Sequence, residues 1–290
     1  MKKVVVIVGP TCSGKTNLAL KLATKFPFEL INGDSVQIYK ELNIGSDKIS
    51  QSTQNKFLHY LLNHTSIKNK YTVYDYQKDV RLYLDQLNYP LLVGGSGFYI
   101  KAALNDYQFV KEKHQCSDVD EILAKGLVEA KNYLLKKDPK IAIDFTNERK
   151  VRRAIIQLLN GVIPSENTKE NNTLYNALII YLDIDRNTLR EKVLTRIDNQ
   201  LELGFMDEVK ALQKYEHNIK DILGYREMLM LIKKEITLNN YKELVCNKTM
   251  QLAKRQKTWF KNKMNINIFD ANSKNLVDDV LKKIKEFYNE

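Results

Sequence analysis

What this sequence lacks sets the first limits on it. Cysteine is scarce: Cys12, Cys116 and Cys246 lie far apart, are odd in number and show no paired metal-ligand spacing. That excludes a disulfide framework and a cysteine-held zinc site, and it points to a reduced, cytoplasmic protein. No apolar run approaches the roughly 18 residues of a membrane span. The N-terminal VVVIV covers only residues 4–8, so neither a spanning segment nor a signal peptide is expected. Acid is in deficit, with Asp+Glu 35 against Lys+Arg 46, a net charge of +11. Between Leu244 and Phe269 there is no acidic residue at all, and the one tryptophan, Trp259, falls in that stretch. The overall excess is moderate, and the abundance of Asn, Ile and Tyr fits a compositional bias that also enriches lysine. Charge alone leaves a nucleic-acid partner open; where the charge sits decides more. Internal repeats are absent, as is any low-complexity tract beyond the Asn-rich SENTKENNT (165–173), which reads as a polar, mobile loop.

What is present is enough for a substantial core: 290 residues, 43% hydrophobic. Short apolar runs end at turn residues and give way to helical spacing. VVVIV (4–8) runs into a glycine loop and then NLALKLATKF (17–26); FELIN (28–32) ends at Gly33-Asp34-Ser35; YPLLVGG (89–95) precedes the helix-like FYIKAAL. This alternation predicts an α/β fold with a parallel sheet and ligand sites at the carboxyl ends of its strands. From about Asp106 the texture becomes helical, through AKGLVEAKNYLLKKDPKIAIDF and NERKVRRAIIQLLNG, until ALIIYLDID (177–185) resembles a strand again. The expected organisation is a core of residues 1–107 and 177–290, interrupted by a helical insertion at 108–176.

GPTCSGKT (Gly9, Pro10, Thr11, Cys12, Ser13, Gly14, Lys15, Thr16) fits GxxxxGK(S/T), follows a predicted strand and opens a predicted helix. In such a P-loop the glycines let backbone N–H groups point at phosphate oxygens. Lys15 supplies a cation, the Thr16 hydroxyl can ligate Mg²⁺, and the helix N-terminus adds positive potential. The motif does not say whose phosphate it holds. Asp34 ends the second run and reads equally as a helix cap and as a base or metal-water ligand. VGGSGFY (93–99) is a second glycine-rich turn at which Gly94, Gly95 and Ser96 would let a substrate come close to the backbone. NERKVRRAIIQLL gathers Arg149, Lys150, Arg152 and Arg153. MQLAKRQKTWFKNK (250–263) carries Lys254, Arg255 and Trp259. A solvated helix face explains either run. Basic side chains with an aromatic nearby also suit a folded RNA.

Taken in order, GPTCSGKT, DSVQIYKELNIGSDK, PLLVGGSGFYIKAAL, GYREM (224–228) and AKRQKTWF (253–260) closely resemble the tRNA dimethylallyltransferase (isopentenyltransferase) family over nearly the whole chain. The resemblance implies a P-loop α/β core with a helical insertion. It also implies transfer of a dimethylallyl group from its diphosphate to N6 of the adenosine at tRNA position 37, with Mg²⁺ and without ATP. On that reading the phosphate held by the loop is a leaving group. Asp34 would take the N6 proton, Thr11 would position substrate, and Arg196, in KVLTRIDNQLELGF, would lie near the diphosphate. The target base would be extruded into a channel lined by Asp34, Ser35, Val36 and Gln37, with Ser35 and Gln37 reading its edge and Ser96 standing where the family usually has threonine. The segments 149–153 and 253–263 would hold the anticodon stem-loop. A monomer is the default expectation.

The chain departs from the family pattern in places. Cys12 replaces a common alanine, Asn63 a common aspartate, Lys150 an arginine and Gln200 a methionine, the last expected to matter only for packing. Two competing readings follow from the residues themselves. A small-molecule P-loop kinase would use Asp183 or Asp185 of LIIYLDID as a metal ligand. A non-catalytic RNA-binding protein would carry the loop as a relic, against which the intact GKT and Asp34 argue.

Overall fold

The computed structural model describes residues 1–107, 109, 116–166 and 172–289. It divides into two compact units, Met1–Asn105 with Thr173–Glu290, and Asp106–Asn172.

The first unit is built on strands β1 (Lys3–Val8), β2 (Glu29–Asn32), β3 (His59–Tyr60), β4 (Pro90–Val93), β5 (Asn176–Asp183) and β6 (Asn267–Asp270). They form a 6-stranded sheet in the order β3-β2-β4-β1-β5-β6, with parallel pairing throughout. The β-branched run of β1 lies at its centre, fully buried, as a strand covered on both faces must be. Its pleat sends Val4, Val6 and Val8 into one hydrophobic cluster and Val5 and Ile7 into another. The first cluster takes Tyr76, Val80 and Leu84 of α3 (Val73–Gln86), Ile100, Ala103 and Leu104 of α4 (Gly97–Leu104) and Phe260 of a long later helix. The second takes Leu18, Ala19 and Leu22 of α1 (Lys15–Ala23), together with Val280 and Ile284 of the C-terminal helix. Between β2 and β3 lies the short α2 (Gln51–Lys56).

The second unit contains α5 (Cys116–Ala124), α6 (Leu127–Lys137) and α7 (Glu148–Leu159), packed on Val119, Ala130, Leu134, Ile141, Val151, Ala154 and Ile155. The sequence suggested helix through IAIDF as well. In the structure α6 stops at Lys137 because Pro139 cannot continue it, and the buried Asp138 instead accepts the Ser165 backbone N–H at 2.8 Å. The expected insertion limits of 108–176 also shift, to 106–172. Asn105 and Thr173 form an antiparallel bridge and the Leu174 N–H donates to Leu104 O at 2.9 Å, so residues 173–176 run with the core. Residues 167–171 of the polar SENTKENNT stretch, and residues 108 and 110–115, lie outside the described residues.

After β5 the core unit continues through α8 (Arg186–Glu202), α9 (Phe205–Ala211), α10 (Glu216–Ile219), α11 (Tyr225–Ile232) and α12 (Leu238–Lys263), and ends with β6 and α13 (Leu276–Tyr288). α8, α9, α11 and α12 bury Val193, Ile197, Phe205, Val209, Tyr225, Met228, Tyr241 and Val245 against Leu42 and Ile67 from the loops near β3. Among the described residues no helix is long and apolar enough to cross a membrane.

Candidate active site

The strands β1, β2, β4 and β5 deliver their carboxyl ends to one edge of the core unit, and the loops that follow meet there. After β1 the loop Gly9–Gly14 curls back on itself. The Pro10 carbonyl accepts from the Ser13 N–H at 3.3 Å, Ser13 Oγ at 2.8 Å and Lys15 Nζ at 2.6 Å. Gly14 closes the curl at φ +84° and serves as the N-cap of α1, a backbone that glycine adopts without penalty. Cys12 is also left-handed, at φ 62°, an unusual state for a residue with a Cβ. Burial pushes the Lys15 ammonium down to about 8, and the Asp34 carboxylate offsets part of that shift.

After β2 the chain makes a turn that Asp34 organises. Asp34 Oδ1 accepts the backbone N–H groups of Val36 at 2.8 Å and Gln37 at 3.3 Å. The side chain thus caps a turn where the sequence left a helix cap open, and Oδ2 has no hydrogen-bond partner among the described residues. Asn32, buried at the end of β2, fixes the same turn: its Oδ1 accepts the Asp34 N–H at 3.0 Å and its Nδ2 donates to the Asp34 carbonyl at 3.0 Å and to Leu61 O at 3.1 Å. The loop after β4 approaches so closely that a Cβ on Gly94 would run into the Gly33 backbone. Ser96 Oγ accepts the Ser35 N–H and donates to Ser35 Oγ, both at 3.1 Å. The Gln37 amide nitrogen is spent on its own loop, donating to Ser46 O at 3.0 Å and Asp47 O at 3.3 Å. Reading of a base edge by Gln37, as expected from the sequence, would therefore fall to Oε1 alone.

Arg196 of α8 joins these loops. Its Nη1 donates to Thr11 Oγ1 at 2.7 Å and lies 3.6 Å from Asp47 Oδ2, while Nη2 donates to Gly45 O at 3.3 Å. One turn on, Gln200 Nε2 donates to Ile44 O at 2.9 Å and Gly45 O at 3.1 Å. The packing-only role expected of Gln200 is thereby corrected: it pins two carbonyls that a methionine could not. Glu208 of α9 accepts the N–H groups of Asn43, Ile44 and Gly45 at 3.0, 2.8 and 3.2 Å, and the hydroxyl of Tyr225 at 2.7 Å. GYREM is thus a supporting motif. Its buried Glu227 accepts the Gly224 N–H and Lys248 Nζ, each at 2.7 Å. Asn63, at φ 53°, accepts from Lys48 Nζ at 2.7 Å and donates to Gln54 Oε1 at 2.8 Å. It serves as a structural tether for Lys48.

Neither sequence analysis nor the resemblance singled out Gln256, Glu208 or Asn32. Gln256 of α12 accepts the Thr11 N–H on Oε1 at 3.3 Å and donates to Gly95 O from Nε2 at 2.9 Å. On the same helix Lys254 and Arg255 are exposed. Trp259 is half-buried against Gly97, where a Cβ would enter its ring, and stands edge-on to Phe260; at most its outer face remains for a base. Within the second unit, Arg152 pairs with Asp120 at 2.6 Å, Lys150 with Asp144 at 3.7 Å, and Arg153 lies over the Tyr107 ring. Arg149 is exposed.

Beside Lys15 the loop offers a single hydroxyl to a phosphate-bound cation. The Thr16 hydroxyl has no hydrogen-bond partner among the described residues, and a Cβ built on the neighbouring Gly14 meets nothing within 4 Å. No cluster of at least three His, Cys, Asp or Glu suited to a metal occurs among those residues. Mg²⁺ usually keeps several waters and takes one or two carboxylates together with substrate phosphates; in a P-loop the Ser/Thr hydroxyl is a protein ligand. Asp183, the kinase candidate, is paired with Lys257 Nζ at 2.7 Å, and Asp185 caps α8 by accepting the Thr188 N–H at 2.8 Å.

A family profile described as IPP transferase matches residues 37–263. The chain is 44% identical over 287 residues to a tRNA dimethylallyltransferase of Acholeplasma laidlawii, covering 99% of each chain. It resembles the crystal structure of a tRNA delta(2)-isopentenylpyrophosphate transferase from Staphylococcus epidermidis, with TM-score 0.73, 30% identity, and coverage of 99% of this chain and 100% of that one. A eukaryotic dimethylallyltransferase captured acting on tRNA gives TM-score 0.88 at 25% identity, covering 100% of this chain and 80% of that one.

Proposed function

We propose that this chain, which belongs to the IPP transferase family of tRNA dimethylallyltransferases, carries out its prenyl transfer from dimethylallyl diphosphate to N6 of the adenosine at tRNA position 37. The observation that carries the detailed reading is the meeting of two cations with one carboxylate at the strand ends: Lys15 within the phosphate loop, Arg196 bonded to Thr11, and Asp34 with an oxygen to spare.

The exocyclic adenine amine is a poor nucleophile because its lone pair is delocalised into the ring. As N6 bonds to the allylic carbon, the carbon–oxygen bond breaks and its electron pair leaves with the diphosphate. The N6 proton passes to Asp34, a contribution of about 10²–10⁴ for a positioned base. Negative charge gathering on the leaving group is met by the loop N–H groups, Lys15 and Arg196. Mg²⁺, held by Thr16 and the diphosphate oxygens, would supply further charge neutralisation. The flipped adenosine would enter beside Asp34, Ser35, Val36 and Gln37, with Ser35 held by Ser96. Lys254 and Arg255, with Arg149, Lys150, Arg152 and Arg153 of the other unit, would engage the RNA backbone. A cytoplasmic monomer acting on tRNA accords with this reading. ATP has no part in it.

The test is a nucleoside mass spectrum of an unmodified tRNA bearing adenosine at positions 36, 37 and 38, incubated with the protein, Mg²⁺ and dimethylallyl diphosphate but no ATP. One dimethylallyl group on adenosine 37 is expected. An unchanged spectrum across several tRNAs, with folded protein, would sink the proposal.

A further inference from the structure

Thr11 is held from two helices at once. Arg196 on α8 grips its hydroxyl at 2.7 Å, and Gln256 on α12 accepts its backbone N–H at 3.3 Å. The second of these contacts belongs to no phosphate-binding motif. It also reaches further than the loop, because the same carboxamide donates to Gly95 O at 2.9 Å. Gln256 therefore bridges the loops that follow β1 and β4.

The chemistry of the bridge is selective. Thr11 offers a donor and Gly95 an acceptor, so the side chain between them must present one of each, at the reach of a glutamine. A glutamate would face the Gly95 carbonyl with a second acceptor, and a lysine would face the Thr11 N–H with a donor. The space is equally defined: a Cβ on Gly95 would lie 2.7 Å from Gln256 Nε2. The flanks of Gln256 are anchored too, Lys257 to Asp183 at the end of β5 and Trp259 to Gly97 at the start of α4. α12 thus grips the carboxyl ends of β1, β4 and β5, while Lys254 and Arg255 on the preceding turn face solvent.

We propose that Gln256 is a positioning residue for the diphosphate site: it sets Thr11 where Arg196 can hold it and locks the phosphate loop to the Gly95 turn. This deepens the reading of the loop as a diphosphate cradle and rests on it. Gln256 does not touch the reacting atoms. It acts through Thr11, so its loss is felt in donor binding and not in the chemical step.

The test uses the full chain and Gln256→Met, which keeps length, volume and helix propensity while removing both hydrogen bonds. Magnesium pyrophosphate affinity is measured by calorimetry. KM and kcat for dimethylallyl diphosphate, affinity for an anticodon stem-loop RNA, and thermal stability are measured alongside. We expect pyrophosphate affinity to weaken about tenfold and the donor KM to rise in step, the scale of a lost pair of neutral hydrogen bonds. The kcat should stay within about threefold, RNA affinity within about twofold, and Tm within about 2 °C. Gly95→Ala disturbs the same contact from the other side, so the double variant should be no worse than the more affected single one. Unchanged pyrophosphate affinity overturns the proposal. So does an equal loss of RNA affinity, which would make Gln256 an RNA contact, or a fall in Tm that accounts for the whole effect. The pyrophosphate titration reads the loop whether or not prenyl transfer occurs, so a failure of the proposed reaction is told apart from a failure of this inference.

Discussion

Arg196 and Thr11, 185 residues apart in sequence, are joined by a 2.7 Å hydrogen bond. That bond ties the phosphate loop after the first strand to the helix after the fifth. The same guanidinium reaches Gly45 and Asp47, so one side chain sets the distance between the Gly9–Gly14 loop and the loop that follows Asp34. Arg196→Lys keeps the charge but cannot reach all these atoms with one fork. Pyrophosphate affinity should fall about 10–100-fold, the scale of lost charge-assisted hydrogen bonds, with affinity for the RNA stem-loop little changed. Calorimetry with each ligand separately checks both halves.

Asp34 offers a clean separation of structure from chemistry. Oδ1 accepts from Val36 and Gln37, and asparagine can keep those bonds while losing the second carboxylate oxygen. Asp34→Asn should retain tRNA binding within a few-fold and lose prenyl transfer by about 10²–10⁴ under single-turnover conditions. A proportional loss of tRNA binding would reassign Asp34 to recognition.

Glu208 stands outside the chemistry but holds three successive backbone N–H groups and the Tyr225 hydroxyl. Glu208→Ala leaves those donors without an acceptor and should cost about 2–3 kcal/mol in urea unfolding. The cost should come with slower transfer, because the Gly45 carbonyl that it places also receives Arg196 and Gln200.

Gly97 leaves no room for a methyl group beneath Trp259. Gly97→Ala should destabilise the protein by about 1–3 kcal/mol through overpacking. As the chain has 1 tryptophan, the same variant should show a displaced emission spectrum in the native state, a direct optical reading of where α12 lies.

The part of the stability carried by Lys48 and Lys15 should rise with pH between about 8 and 10. Burial lowers Lys48 to about 8 in the folded protein, against the pull of Glu208 and Glu41, and lowers Lys15 similarly. An unfolded lysine titrates near 10.4. Across that window the unfolded chain therefore binds more protons than the folded one, and raising the pH favours folding. The Cys246 thiol, pushed upward by burial, opposes this within the window, and Tyr99 and Tyr225, also raised mainly by burial, oppose it above about pH 10. Lys48→Met should flatten part of the rise in urea midpoints measured at pH 7.5, 8.5 and 9.5.

The parts of this molecule legible in its sequence are those where one segment is sufficient to itself. β1 was readable because VVVIV is buried on both faces, and the loop after it because its spacing is a property of eight adjacent residues, Gly9 to Thr16. β3 and β6 are too short to mark themselves: the first is 2 residues long, and the second, NIFD, is 4 residues with Ile268 and Phe269 set between Asn267 and Asp270. Glu208 and Gln256 escaped for a different reason. A glutamate on α9 and a glutamine among lysines on α12 are what a solvated helix face contains, and their partners lie 163 and 245 residues away. The positions in GYREM were visible as a motif, but their supporting role appears only once Tyr225 is seen against Glu208. Arg196 was reached through resemblance alone, since no local pattern distinguishes it from the neighbouring Arg190.

The Asn105–Thr173 bridge closes the core unit where the chain departs from it and comes back. Paired ends of this kind make the intervening stretch a cassette. Changes in its length should leave the register of β5 in place, because Thr173 and Leu174 are already held to the end of α4 before β5 begins. The demands on the inserted stretch are thereby separated from the demand to keep the sheet intact.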